Sequence, residues 1–396
     1  VLAPLENDPR DYAWGSTTLI ADLQGRDVSG APEAEVWFGD HPGSPARLGD
    51  GTRLDRWLEA NAAPGEPRSL PYLLKLLAAA SPLSIQVHPS KAQAEAGYAA
   101  EESAGIPVDA PDRNYRDAIH KPEVIVAISD RFEALAGLRD VAATRRLLAA
   151  LPANRGVAEL DRRLADGDAA TALRETLTWL LSGKAQDTVA DVSAALADAT
   201  DAEFAPELTA ARRIADAYPG DPGIVVALLM NLVVLGRGEA VFAPAGALHA
   251  YLDGLGVELM AASDNVLRGG LTPKHIDVAE LMTVVDTHPS APPRISAQPV
   301  AEGIAVFRPD VPDFELWQVS SVDGAARTVP LTGDAIALAV AGALQVAGAS
   351  GQSVELLPGR AAFATADEKE LRITGSGELF VALPGGARHA ETRRKS

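Results

Sequence analysis

Residues 82–91 read Pro-Leu-Ser-Ile-Gln-Val-His-Pro-Ser-Lys, PLSIQVHPSK. Ile85 and Val87 alternate with Ser84, Gln86 and His88, and successive strand side chains point to opposite faces. A strand here lines up a hydroxyl, a carboxamide and an imidazole on one face. It then stops at Pro89, which cannot donate to a ladder. A solvated strand edge has the same pattern, so the stretch takes its meaning from its surroundings.

The flanking segments LPYLLKLLAAASPLSIQVHP and KPEVIVAIS are short apolar runs broken by Gly, Pro and Asp. Residues 1–139 therefore read as mainly β with a few helices. Residues 140–217 are rich in Ala and Leu. Leu173, Leu177, Leu180 and Leu181 follow the spacing of one helix face, and Val189, Val192 and Leu196 continue in a second helix. This is read as a helical domain. Strand character returns in YPGDPGIVVALLMNLVVLGRGEAVFAPAG, so residues 218–290 rejoin 1–139 in one catalytic β domain. Residues 291–396 alternate with turn signals, as in AIALAVAG, where Ile336, Leu338 and Val340 share a face. They read as a small β-sandwich or barrel. The tail ETRRKS is expected to be disordered.

Bulk properties exclude several classes. The 396 residues allow about two or three domains. No run approaches the roughly 18 apolar residues of a membrane span. The segment VLAPLENDPRDYAWGS lacks a basic region followed by an apolar one, so no secretory signal is read and a cytoplasmic location is expected. Cysteine is absent, so a metal has only N and O ligands available. A net charge of −19 argues against nucleic acid or an anionic membrane as partner. An anionic substrate would need its own cluster of Lys and Arg.

Seven histidines are present: His41, His88, His120, His249, His275, His288 and His389. Three lie in stretches with a direction. His88 follows Gln86 on one strand face. His120-Lys121-Pro122-Glu123 opens the strand EVIVAIS, with proline at a tolerated strand start; a polar loop before a buried strand would read the same. In the third, EAVFA runs into Pro244-Ala245-Gly246 and re-emerges with His249, a hairpin that aims an imidazole at a barrel interior. That spacing resembles the second motif of the cupin superfamily. Gln86, His88, His249 and one glutamate form an N/O donor set that Zn²⁺ accepts. Glu123 and Glu258 compete for the last place, and spacing does not choose between them. ELMAASDNVLRGGLTPKH adds Glu258, Asp264, Asn265, Arg268 and Lys274 on what reads as a Gly-rich loop.

Taken in order, YAWGS, EVWFGDHP, LPYLLKLLAAASPLSIQVHPSK, NYRDAIHKPEVIVAIS, FEALAGLR, APAGALHAYLDG and ELMAASDNVLRGGLTPKH resemble the type I mannose-6-phosphate isomerases. The likeness covers residues 9–139 and 220–285, and that family has a helical insertion in the same place. It implies a cupin-type jelly-roll barrel with an α-helical insertion and a C-terminal β-sandwich or cupin-like domain. It also implies a zinc-dependent aldose–ketose isomerase acting on a small phosphosugar, with one Zn²⁺ per chain. By resemblance Gln86, His88, Glu123 and His249 are the metal ligands. Arg268 matches a catalytic arginine, and Tyr251, Glu258, Lys121 and Lys274 match pocket residues. Ser84 and Lys75 are expected phosphate contacts and Trp14 a substrate contact. Glu258, followed by His120 and Lys121, is the expected general base.

Two departures are visible. Arg268-Gly269-Gly270 replaces the usual Arg-Ala-Gly, which should loosen that loop, and Asp253-Gly254-Leu255-Gly256 stands where relatives have a Gly-Asp pair. The competing classes are a metal-dependent cupin oxidase or dioxygenase and a non-catalytic sugar-binding cupin. An oxidase of this kind usually has His-x-His where this chain has Gln86-x-His88.

Overall fold

The computed structural model describes residues 1–62, 68–165, 167–322 and 324–386. The tail ETRRKS and His389 lie outside them.

Among the described residues the strands form two sheets of ten. The long strand His249–Ala261 organises the first. Its first half pairs with Ile85–Val87 and Phe132–Leu138. Its second half pairs with Tyr72–Ala79 and Glu123–Ala127. The change of partners falls at a register shift between Tyr251 and Asp253, just before Gly254, whose φ is 115°. A Cβ at Gly254 would lie 2.8 Å from the Arg131 carbonyl oxygen. Glycine thus lets the strand bend while it passes close to a neighbouring backbone. The unusual Asp253-Gly254 sequence sits at that bend.

Alternation sorts the two faces of this sheet. Val36, Phe38, Tyr72, Leu74, Leu76, Val124, Val126, Val257 and Leu259 all enter one apolar cluster. Glu35, Lys75, Glu123 and Glu258 occupy the intervening positions and so face the other way, into the barrel. The same cluster takes Phe307, Leu316, Ile336, Leu338, Phe363 and Phe380 from the second sheet, and Phe314 from a connection between its strands. The two sheets therefore share a core, in which each fully buried large side chain contributes about 1.5–3 kcal/mol.

The second sheet holds the strands from Gln298–Ala301 to Glu370–Leu383. It also takes Leu2–Glu6, which pairs with Ala361–Ala364 and Arg47–Leu48. This differs from the expectation that residues 1–139 lie wholly in the catalytic unit. Leu5 enters the shared core and Leu2 the second sheet's own core; strand alternation gives faces, not partners. On the strand Ala335–Gly348, Ala335, Ala337 and Ala339 are also buried, in that second core.

Five helices, from Val141–Ala149 to Ala205–Ala217, follow the first β region. Leu173, Leu177, Leu180, Val189, Val192 and Leu196 are buried in their core, whereas Leu181 is half-buried. That core also takes Ile85 and Val87, so the helices back the strand that carries Gln86. The run IVVAL, read as strand, is the helix Gly223–Leu228. It is buried all round, so its apolar residues carry no period to distinguish helix from strand. Asp221 Oδ1 accepts from the Gly223 N–H at 2.7 Å, an Asx-type turn that leads into the helix.

Two local readings are also corrected. Ala240–Ala243 and His249–Ala261 do not form a paired hairpin, because Glu123–Ala127 lies between them and pairs with both. The Gly-rich stretch after Asn265 contains a strand, Leu267–Gly270, paired with Ile85–Val87. A Cβ at Gly269 would meet Leu248 at 3.2 Å and Ile85 at 3.3 Å. Gly269 therefore marks tight packing, not a loosened loop.

Candidate metal centre and active site

Directly opposed residues on adjacent strands lie side by side on one face. His249 is opposite Gln86, and Gln86 is opposite Arg268 on its other side. Three strands thus set an imidazole, a carboxamide and a guanidinium in one row. Gln86 Nε2 donates to Ser84 Oγ at 3.2 Å, which leaves its carbonyl oxygen available.

His88 Nδ1 lies 2.8 Å from the Asn265 carbonyl oxygen and His249 Nδ1 lies 3.0 Å from that of Ala247. A carbonyl only accepts, so both rings hold their proton on Nδ1 and present a lone pair at Nε2. These Nε2 atoms lie 3.3 and 3.2 Å from the two oxygens of Glu123. His88 Nε2 is buried and makes no hydrogen bond of acceptable geometry. Two imidazole lone pairs thus converge on a carboxylate, an arrangement that calls for a cation between them. Among the described residues His88, Glu123 and His249 form a set with ligand atoms within 4.8 Å of one another. Two imidazole nitrogens and a carboxylate oxygen make an N/O donor set of the kind that suits Zn²⁺. The backbone carbonyls behind the imidazoles are the outer-shell partners such ligands need.

The electrostatics agree with that use. Burial pushes His88 down to about 4, so its imidazole stays neutral. Burial alone would raise Glu123, but nearby positive charge, that of Lys121 foremost, holds the carboxyl well below its usual range. Lys121 Nζ lies 2.9 Å from Glu123 Oε1. Among the described residues it is Glu123, and not Glu258, whose carboxylate groups with the two imidazoles.

A cavity of about 80 Å³ opens beside this set, lined by Glu35, Lys75, Ser84, Gln86, Lys121, Glu123, His249, Tyr251 and Glu258. Lys75 Nζ is 3.1 Å from Glu258 Oε2 and 3.7 Å from Glu35 Oε1. Burial would lower the Lys75 pKa, yet the neighbouring carboxylates Glu258, Glu35 and Glu123 keep it raised. Burial raises Glu258, against the opposing pull of Lys75. Burial likewise holds the Tyr251 hydroxyl well above its ordinary value. Lys75 thus reaches the cavity with its charge engaged by two carboxylates, a poor setting for the expected phosphate contact.

Arg268 is half-buried and Lys274 exposed. Burial lowers both pKa values, and the nearby charge of Arg116 adds to the effect on each. Neither lines the cavity wall. Two expected residues also sit off that wall. Trp14 stacks on Tyr12 with centroids 5.7 Å apart, and His120 Nε2 lies 2.6 Å from Asp313 Oδ2. Sequence reading missed Glu35 and Arg116. Glu35 could have been found from the alternation of EVWF, where Val36 and Phe38 claim the apolar face. Arg116 carried no periodic signal.

Residues 2–141 match the family model described as phosphomannose isomerase type I, catalytic domain. The chain is 37% identical over 388 residues to the mannose-6-phosphate isomerase of Escherichia coli (strain K12), covering 95% of this chain and 97% of that one. The zinc-bound crystal structure of a mannose 6-phosphate isomerase superposes with a TM-score of 0.87 at 34% identity, over 97% of this chain and 100% of that one. The apo form from Salmonella typhimurium also gives 0.87 at 34% identity, over 97% and 99% of the two chains.

Proposed function

The chain belongs to the type I phosphomannose isomerases, and from that premise we propose that it interconverts mannose 6-phosphate and fructose 6-phosphate with one zinc ion. The observation that carries this reading is the pair of Nδ1-anchored imidazoles meeting on Glu123. Gln86, His88, Glu123 and His249 would hold the metal. Zinc bound there supplies Lewis acidity toward sugar oxygens that gain negative charge.

The reaction moves a proton between C1 and C2 through a cis-enediol. Glu258 is the proposed base: it lines the cavity, and burial raises its pKa toward the working range of a general base. Lys75 holds it in place. Lys121, also on the wall, carries a cation beside the metal set and is the second candidate for proton transfer. Arg268, in the Gln86 row, offsets charge that develops on the substrate. Arg268, Lys274 and Arg116 make no ion pair among the described residues, so their charge is free for a phosphate. Ser84, bonded to Gln86 on the cavity wall, adds a hydroxyl.

The substrate is thus a small phosphosugar, and a cytoplasmic location fits both that substrate and the absence of cysteine. Among the described residues no helix is long and apolar enough to cross a membrane. The test is metal analysis together with a coupled fructose-6-phosphate assay before and after chelation. Stoichiometric zinc, loss of turnover on chelation and recovery on re-addition are expected. Full turnover in metal-free protein would overturn the reading.

A further inference from the structure

His120 immediately precedes Lys121 and stands three residues before Glu123, so it lies on the segment that delivers both to the site. Its partner comes from the other sheet's side of the molecule: Asp313 Oδ2 lies 2.6 Å from His120 Nε2. Asp313 sits in the connection between the strands Ile304–Phe307 and Glu315–Ser321. That connection is firmly seated. Phe314, the next residue, is 1% exposed and belongs to the core that the two sheets share. The Asp313 and His120 side chains are 17% and 16% exposed, so the pair is largely screened from water.

A carboxylate accepts and does not donate, so His120 Nε2 carries a proton directed at Asp313. This is the logic by which an aspartate fixes the tautomer and orientation of a working imidazole. It is the reverse of the two metal-set histidines, whose Nδ1 atoms hold the proton.

We propose that Asp313 is a positioning residue supplied by the C-terminal sheet: it locks the His120 ring and, through it, the approach of Lys121 to the site. The kinetic part of this proposal rests on the isomerase reading; the tautomer part does not. An aspartate outside the catalytic β region thereby becomes part of the working site, and the second sheet has a chemical task besides its share of the core.

The test uses full-length, zinc-loaded protein with Asp313→Asn, Asp313→Glu, His120→Gln and the Asp313→Asn/His120→Gln double variant. Asp313→Asn is expected to lower kcat about 10-fold with KM within about 2-fold of wild type, and with zinc content unchanged. Asp313→Glu should restore part of kcat. In the His120→Gln background, Asp313→Asn should have no further effect, because the two act as a unit. Side-chain ¹⁵N shifts of His120 should report the Nε2–H form in wild type and its loss in Asp313→Asn, whether or not the protein turns over mannose 6-phosphate. The proposal is overturned if Asp313→Asn keeps kcat within 2-fold, if its effect is undiminished without His120, or if the tautomer does not change. Wild-type protein inactive on mannose 6-phosphate but with the expected ¹⁵N response would sink the isomerase reading and leave the positioning role standing. Should Asp313→Asn fail to fold, Asp313→Glu and His120→Gln carry the same comparison.

Discussion

Lys75 and Glu258 are register partners on adjacent strands, and their charged atoms meet at 3.1 Å in a setting that leaves the side chains 7% and 3% exposed. Removing one partner strands the other in a poorly solvated interior. Lys75→Met should destabilise the zinc-free protein by about 3 kcal/mol, read by urea unfolding, and should raise the Glu258 carboxyl further by removing the charge that opposes its burial. The Lys75→Met/Glu258→Gln double variant should regain most of that stability without regaining turnover. A single variant as stable as wild type would show that the pair is not what holds this wall.

The metal set makes a second prediction. His249→Ala removes one of two imidazoles and should abolish stoichiometric zinc, with turnover falling at least about 10³-fold. Asn265 is a milder probe. Its carbonyl holds His88, and its side chain bonds Asp117 and Ile119. Asn265→Ala keeps that backbone carbonyl but removes the side-chain bonds that seat it, and should weaken zinc by about 10-fold, the low end for a disturbed outer-shell partner. Equilibrium dialysis reads both; zinc retained at full stoichiometry by His249→Ala would remove that residue from the set.

Phosphate recognition is testable through the unpaired cations. Lys274→Ala and Arg116→Ala should each raise KM for mannose 6-phosphate about 5- to 20-fold with a smaller change in kcat, since on the proposed reading they would meet a part of the substrate that does not react. Arg268→Lys should lower kcat as well, because a point charge does not replace a planar fork. Equal KM values for wild type and both alanine variants would place the phosphate elsewhere.

Asp40 offers a pH test away from the metal set. Burial pushes its carboxyl up to about 6. The sign follows from linkage. A raised acid stabilises the fold fully below its unfolded pKa of about 4 and loses that contribution as pH rises through about 6. Unfolding free energy should therefore carry a decline of roughly 2 kcal/mol across that window, allowing for the carboxyl's residual contact with solvent. Asp40→Asn should flatten it and be more stable than wild type above pH 7. Its carboxamide oxygen still accepts from the Leu70 N–H, which lies 3.3 Å from Asp40 Oδ2. An unchanged slope in the variant would assign the decline to other groups.

Much of the site was legible because strand alternation is a local rule. Ile85 and Val87 claim one face, so Gln86 and His88 had to occupy the other, and Glu123 follows the same logic on its own strand. Partnership was not legible, because it depends on residues far apart in sequence. Nothing near Leu2 reveals that it pairs with Ala364, and nothing near Lys75 shows that two carboxylates engage it. The helix Gly223–Leu228 was hidden for a different reason: a run buried on all sides has lost its period. Gly269 was read as slack, yet the missing Cβ is what lets Leu248 and Ile85 close on the strand.

The pairing of Leu2–Glu6 with Ala361–Ala364 has a consequence for biosynthesis. The ribosome exposes Leu2 long before Ala364 exists, so the second sheet cannot be completed during most of translation. Because its strands cover Val124, Val126, Val257 and Leu259, the outer wall of the barrel stays uncovered for the same interval. A nascent chain stopped before Phe307 would present that apolar wall to chaperones, and release from them would wait for the last strand, Glu370–Leu383, to dock.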